Sequence, residues 1–263
     1  MKVVTINILS DLTRWKQRRP LLVAGLAALQ PDLIALQEAS IPANTALWLA
    51  GKLEMPHIHL SPKTGKRARR EGIAILSRLP FEEQATLDLL TQNRVAQYVR
   101  VRADQQTLIF ANGHFFWEPG DSSERQRQVE RFVEWLNAIP GDPPMVVCGD
   151  FNATPETGAI RIMRRQFVSA YAAVHGQEPE YTSPTPLPRS KLGMLGTLFE
   201  YRGEISLKDF RLNWRGTLDY IFVNRHVRVL DCQVVLNQPS PLEPKIYPSD
   251  HFGLAADIEV NHG

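Results

Sequence analysis

The sequence predicts an α/β fold built on mixed sheets, and three observations carry that prediction. The N-terminal part reads strand, helix, strand, with apolar runs at Lys2 to Ile8 and Leu33 to Leu36 flanking a segment of helical periodicity. The middle and C-terminal parts hold strand-like runs separated by short turns with few helical segments between them, a hairpin pattern rather than a repeated βαβ pattern. Short polar strings also follow directly on apolar runs, which places functional groups at the ends of buried strands, where α/β proteins build sites.

Taken in order, Lys2-Val3-Val4-Thr5-Ile6-Asn7-Ile8 is the first strand. A helix from Arg18 to Gln30 follows, with Leu22, Leu26 and Leu29 on one face and Pro31-Asp32 stopping it before the next strand. Gly72 to Leu76 reads as a strand, and Val95 to Val101 with Thr107 to Asn112 as an antiparallel pair turning at Asp104-Gln105-Gln106. A second helix is expected from Ser122 to Asn137, striped by Val129, Phe132, Val133 and Leu136 and started by Asp121 with Glu124. It feeds the strand Met145 to Cys148. Residues 176–215, rich in proline and glycine with isolated aromatics such as Tyr181, Phe199, Tyr201, Phe210 and Trp214, read as a long, partly irregular loop. The segments Gly216 to Val223, Val227 to Leu236 and Phe252 to Val260 complete the strands.

Candidate site residues begin at residue 7 and end at residue 251, so one site needs both halves of the 263-residue chain and a single domain over 1–263 is expected. No apolar run reaches the roughly 18 residues a bilayer demands. The first strand runs straight into Asn7, which leaves no room for a signal sequence, so a cytoplasmic location is expected. The only cysteines, Cys148 and Cys232, sit in apolar strand-like segments and read as reduced core residues. The net charge of +2 is too small to argue for a nucleic-acid partner, but its distribution is informative. Lys63 to Arg70 packs five cations into one loop, either a solvated run or a patch for a polyanion through Lys66, Arg67, Arg69 and Arg70.

Seven strings in chain order carry a resemblance: Ile6-Asn7-Ile8-Leu9, Leu36-Gln37-Glu38, Gly72 to Arg78, Asn112-Gly113-His114-Phe115, Gly149-Asp150-Phe151-Asn152, Leu218-Asp219-Tyr220-Ile221-Phe222 and Ser249-Asp250-His251. On these the chain resembles the endonuclease/exonuclease/phosphatase (DNase I-like) superfamily over nearly its full length. Gln30-Pro31-Asp32-Leu33, Thr217 to Ile221 and Tyr247 to His251 resemble the nocturnin-like members in wording. The resemblance implies a four-layer sandwich of two packed mixed sheets flanked by helices. It also implies a hydrolase dependent on Mg²⁺ or Mn²⁺ that acts on phosphoric esters, with a nucleic acid or nucleotide as the preferred substrate.

By the same resemblance Glu38 holds the metal and Asn7 supports it or its waters, with Asp250 a further candidate for the metal sphere. Where exonuclease III-type members place an acidic residue this chain has Leu9, which leaves Asp11 as an additional candidate. Asp150 would orient or deprotonate the attacking water, and Asn152, two residues on, would donate to a phosphate oxygen; an ordinary Asx turn is the alternative for that pair. Asp219 would fix the tautomer of His251 and stabilise its protonated form. His114 resembles the phosphate-contacting or leaving-group histidine. His57, His59, His175, His226 and His262 have no such context. The same catalytic parts serve lipid-headgroup and inositol phosphoesterases, and some relatives bind phosphate without turnover, so these stand as the alternative functions.

Overall fold

The structure is a computed structural model that describes residues 1–103, 106–118, 120–188 and 214–261. Phe199, Tyr201, Phe210 and His262, together with Asp104 and Gln105 of the expected turn, lie outside the described residues. One six-stranded sheet has the order β11-β12-β1-β2-β4-β3, from β1 (Lys2–Asn7), β2 (Leu33–Ser40), β3 (His57–Pro62), β4 (Glu71–Ser77), β11 (Val227–Val235) and β12 (Gly253–Val260). The other has the order β5-β6-β7-β8-β10-β9, from β5 (Phe81–Asp88), β6 (Val95–Ala103), β7 (Gln106–His114), β8 (Met145–Asp150), β9 (Val168–Ser169) and β10 (Asp219–Val223). Each sheet is mixed: β1 pairs parallel with β2 and β7 parallel with β8, while their other neighbours run antiparallel.

Three apolar layers separate four layers of structure. Val3, Leu33, Ile75, Val99, Phe110, Val146, Ile221 and Leu254 fill the space between the sheets. The outer face of the first sheet is covered by α1 (Trp15–Leu29) and α2 (Thr45–Leu53) through Leu22, Leu26, Leu49 and Leu53. That of the second is covered by α3 (Ser123–Asn137) and α4 (Gly158–Met163) through Val129, Phe132, Leu136 and Ile160. A short α5 (Ala170–His175) places Ala170 against the inter-sheet core. Central strands buried on both faces explain why β1, β4 and β8 read as continuous apolar runs rather than as alternating ones. No helix among the described residues is long and apolar enough to cross a membrane.

Several boundaries differ from the sequence pattern for local reasons. The first helix starts at Trp15 rather than Arg18, entered through Arg14 in the left-handed region, and contains Pro20. Ser122, not Asp121, caps α3 by accepting from the Arg125 amide, while Asp121 accepts from the Gly158 amide and joins α3 to α4. The strand after Leu33 runs on to Ser40 through an irregularity between Leu36 and Ala39, and β10 starts at Asp219 rather than at residue 216.

The sheets touch through polar as well as apolar groups near the site. Gln37 Nε2 donates to Asn112 Oδ1 (2.8 Å), and Asn112 Nδ2 donates to the Leu36 and Ala74 carbonyls, so the floor of the site is pinned from both sheets. The tightest approach is between parallel neighbours β7 and β8, where a Cβ on Gly149 (φ 142°) would fall 2.0 Å from the Gly113 carbonyl oxygen. We expect Gly149→Ala to lower stability by about 3 kcal/mol or more in urea denaturation. Gly51→Ala, in α2 with open space around it, should raise stability by about 0.5–1 kcal/mol. Equal effects at the two positions would refute this account of the β7–β8 contact.

Candidate active site

One edge of the sandwich collects the ionisable side chains. Asn7, His114 and Asp150 are the last residues of β1, β7 and β8. Asp219 opens β10 and pairs in register with Asp150 because β10 is antiparallel to β8. His114 pairs with Asp150 across the parallel β7–β8 ladder. Asp250 and His251 immediately precede β12, which runs antiparallel to β1 and so starts at the same edge. Glu38 is inside β2 at the irregularity, with φ 56°; a bulge of this kind re-aims a side chain that the pleat would otherwise direct elsewhere.

Asn7 links two carboxylates. Its Nδ2 donates to Asp150 Oδ2 (3.0 Å) and to Glu38 Oε1 (3.3 Å), while its Oδ1 accepts from the Leu9 amide (3.0 Å). The second Glu38 oxygen accepts from the Ser10 amide (3.0 Å) and hydroxyl (3.1 Å). Two carboxylates therefore converge on one point with a neutral amide between them, and this oxygen-rich donor set fits a hard divalent cation better than a thiophilic one. The loop that shapes this corner is tied down by Arg18, fully buried, which donates to the carbonyls of Ile8, Leu9, Asp11 and Pro248. The Asp11 carboxylate accepts from the Thr13 amide (2.7 Å), a local turn contact. Asp250 accepts from the Ser249 hydroxyl (3.4 Å) and acts electrostatically on Arg18 and His251.

Asp150 and Asn152 do not alternate along a continuing strand. The strand ends at Asp150, Asn152 has φ 49°, and its amide donates to Asp150 Oδ1 (2.9 Å), so an Asx-type turn brings the pair together. The Asn152 Nδ2 donates to the Phe115 carbonyl (3.1 Å). Burial pushes the Asp150 carboxyl up, to about 6; Asp219 adds to the rise, while His251 and the Asn7 hydrogen bond oppose it. A carboxylate in this range is basic enough to take a proton from water near neutral pH.

His251 Nδ1–H donates to Asp219 Oδ2 (2.9 Å), which also accepts from the Thr182 hydroxyl (2.6 Å). Burial disfavours the imidazolium, but Asp219 and Asp150 outweigh it and hold His251 up at about 10. Asp150, Asp219 and His251 place one potential ligand atom each within 4.8 Å of one another, a group that can hold a metal. With no cation bound, His251 is held protonated and the trio suits proton and charge handling, and the Glu38–Asn7 corner also offers oxygen donors to a cation.

His114 is buried and neutral. Burial drives its pKa well below the usual histidine range, and Arg94, Lys63 and His251 push the same way. Its Nε2 is 3.5 Å from Asp150 Oδ2 and accepts a hydrogen bond from Arg94 Nη1. Within the cationic run Lys63 and Arg67 turn onto Glu71, and Lys66, Arg69 and Arg70 are exposed in the segment leading into β4, whose first residue pairs with Ser40 of β2. Burial, then Arg94, lowers the Lys63 ammonium to about 8; Glu71, despite burial, is driven to about 2 by Lys63 and Arg94. Arg94, Lys63, Thr182 and Arg18 are the residues that sequence reasoning missed. Lys63 carries a usable signal, since it stands two residues after the buried strand residue Ser61; the others are defined only by long-range contacts.

A profile of the Endonuclease/Exonuclease/phosphatase family matches residues 4–251. Among curated relatives, Protein angel of Drosophila melanogaster is 25% identical over 231 residues, covering 81% of this chain and 62% of its own length. The 2',5'-phosphodiesterase 12 of Bos taurus is 25% identical over 287 residues, covering 92% of this chain and 46% of its own length. The chain thus spans between about half and three fifths of these relatives. The human Nocturnin catalytic domain with bound sulfate superposes with a TM-score of 0.76 at 24% identity, covering 99% of this chain and 94% of that one. TDP2 of D. rerio complexed with single strand DNA product gives 0.76 at 18% identity and 99% coverage of both. Both likenesses bear on the fold, which is the four-layer sandwich of two mixed sheets.

Proposed function

The chain belongs to the endonuclease/exonuclease/phosphatase family, and from that premise we propose that it is a divalent-metal-dependent phosphodiesterase acting on nucleic acid or a nucleotide by attack of water on phosphorus. The observation that carries the reading is the position of Asp150, raised toward neutrality and set between the Asn7–Glu38 corner and the Asp219–His251 pair. In this reading Glu38, with Asn7 and Asp250, would hold Mg²⁺ or Mn²⁺, which would supply charge neutralisation at the phosphoryl oxygens. Asp150 accepts the proton of the attacking water through Oδ2, oriented by Asn7 and by the Asn152 amide. The protonated His251, fixed by Asp219, donates to a phosphoryl oxygen as charge builds there, and Asn152 gives a second donor; the bond from phosphorus to the ester oxygen breaks, and that oxygen leaves as the alcohol with a proton from solvent.

The substrate class rests on the family, on relatives named as phosphodiesterases and on the exposed cations Lys66, Arg69 and Arg70 in the segment leading into β4. We also read residues 1–263 as one domain, because both sheets build the one site, and place the protein in the cytoplasm, in keeping with two free, buried thiols.

The test is hydrolysis with Mg²⁺ or Mn²⁺ across single- and double-stranded DNA, RNA, nucleotides, sphingomyelin and inositol phosphates, with Asp150→Asn as the blank. Turnover of nucleic acid or nucleotide is expected, lost in the blank; turnover confined to the lipid or inositol esters would replace the substrate assignment. Neutralising Lys66, Arg69 and Arg70 together should raise KM for an oligonucleotide about tenfold while leaving a small chromogenic diester unchanged, and the wild-type preference for the oligonucleotide should fade with salt. Equal losses on both substrates would remove these cations from the binding site.

A further inference from the structure

Neither helix covering the first sheet contains an acidic residue. α1 carries Lys16, Arg18 and Arg19, and α2 carries Lys52, whereas α3 on the opposite face balances Glu124, Glu130 and Glu134 against Arg125, Arg127 and Arg131. Two tryptophans stand within this cationic face. Trp15 opens α1 and Trp48 lies in the first turn of α2; both are half-buried against the outer core, and their rings meet edge to face with centroids 5.7 Å apart. The Arg18 guanidinium lies 5.4 Å from the centre of the Trp15 ring, and that of Arg19 lies 5.2 Å from the centre of the Trp48 ring. The two arginines differ in what else they meet. Arg18 is committed to the carbonyls of Ile8, Leu9, Asp11 and Pro248, whereas Arg19 has no hydrogen bond and no ion pair among the described residues. Lys16, exposed on the same helix, also has no carboxylate partner among the described residues.

Both helices start at the edge that holds the candidate site. The loop from Ile8 to Asp11 that Arg18 ties down includes Ser10, which donates to Glu38. At the head of α2 the Thr45 hydroxyl accepts from the amide of Ser40 (2.9 Å), the last residue of β2 and two residues beyond Glu38. In the turn between them the Ile41 amide donates to the Arg70 carbonyl (3.0 Å), so the exposed cations before β4 adjoin the same turn. Resting on the nucleic-acid reading above, we propose that this face is an extended substrate surface for single-stranded nucleic acid, in which Lys16 and Arg19 contact phosphates beyond the scissile one and bases pack against the Trp15–Trp48 pair. A face with cations and no acid attracts a polyanion, and aromatic rings set among cations hold single strands through their bases without regard to sequence. An anionic bilayer offers the same charge, but both indoles are rooted in the outer core rather than projecting as apolar wedges.

Binding to the Asp150→Asn protein with Mg²⁺ tests this without turnover, using labelled single strands of about twelve and about three nucleotides, the shorter unable to span both the site and the helices. Replacing Lys16 and Arg19 together by glutamine should raise Kd for the longer strand about tenfold and lower the slope of log Kd against log salt by about 1.4, the share of two phosphates, while the shorter strand binds as before. Trp48→Leu should weaken the longer strand about tenfold as well. Lys16→Glu reverses an exposed charge without touching the core, so it keeps the test decisive if Trp48→Leu is unstable; it should weaken the longer strand more than Lys16→Gln does. Unchanged affinity and slope for the longer strand in the double variant, or equal losses on both lengths, would overturn the proposal. Phosphatidylserine vesicles bound by the parent protein and released by the same two substitutions, with the strands held as before, would assign the face to a membrane instead. If wild type neither binds nor hydrolyses strands of either length but turns over another phosphoester, the substrate reading itself fails and the extended surface with it. Hydrolysis of both lengths with equal KM would leave that reading standing and remove the extended surface alone.

Discussion

His251→Ala and Asp219→Ala are each expected to lower kcat/KM by about three orders of magnitude, and the double variant to be scarcely worse than either. The Nδ1–Oδ2 contact of 2.9 Å makes one unit of the two: without Asp219 the imidazole loses both its orientation and its charge, and without His251 the buried Asp219 carboxylate has nothing to support. The pH profile carries the same information with a definite sign. Asp150 must be ionised to act as a base, so activity falls as pH drops through about 6, a limb that a bound cation moves lower. His251 must be protonated, so activity falls as pH rises through about 10. Removing Asp219 takes away the charge that holds His251 up, and the alkaline limb should move down toward the ordinary histidine range near 6.5. Steady-state profiles of wild type and Asp219→Asn check this directly. Losses that multiply in the double variant, or an alkaline limb that stays in place, would separate the two residues.

Glu38→Gln is expected to raise the Mg²⁺ concentration needed for half-maximal activity by 10- to 100-fold while leaving Tm within a degree or two of wild type. The change removes one anionic oxygen with little change in volume at a half-buried position, and an amide oxygen can still accept from the Ser10 amide and hydroxyl. Excess chelator should abolish wild-type turnover, and Zn²⁺ should be a poor replacement because the corner offers oxygen donors without thiolate. Full activity in chelator would remove the cation from the mechanism. A Glu38→Gln enzyme with unchanged Mg²⁺ dependence would instead shift the metal to the Asp150, Asp219 and His251 group.

Local order makes the main features legible in the chain itself. Asn7, His114 and Asp150 each end a buried strand, and an apolar run that stops at a polar group is visible in one dimension. The mixed sheets and the apolar stripe of α3 follow from the pattern of the residues, whereas the stacking of two sheets into four layers is what the family resemblance implies. What escapes is what depends on contacts distant along the chain. Thr182 meets Asp219 across 37 positions, and Arg94 meets His114 across 20, only because β6 and β7 pair antiparallel. Asp121 resembles a helix cap but its oxygen serves Gly158, 37 positions on, and the neighbouring Ser122 takes the cap. The bulge that turns Glu38 is imposed by the strands around it and its residue type does not announce it, whereas the positive φ of Asn152 suits an asparagine in an Asx turn. Lys63 looks like part of a solvated charge run, yet one strand end and Glu71 bury it.

Oxygen-18 water provides the most direct test of the central claim, that Asp150 activates water for attack on phosphorus. Hydrolysis of an oligonucleotide or a small phosphodiester in labelled water with Mg²⁺ is expected to place one label in the phosphate product and none in the alcohol, with Asp150→Asn giving no product above background. Label in the alcohol, or undiminished turnover by Asp150→Asn, would contradict it.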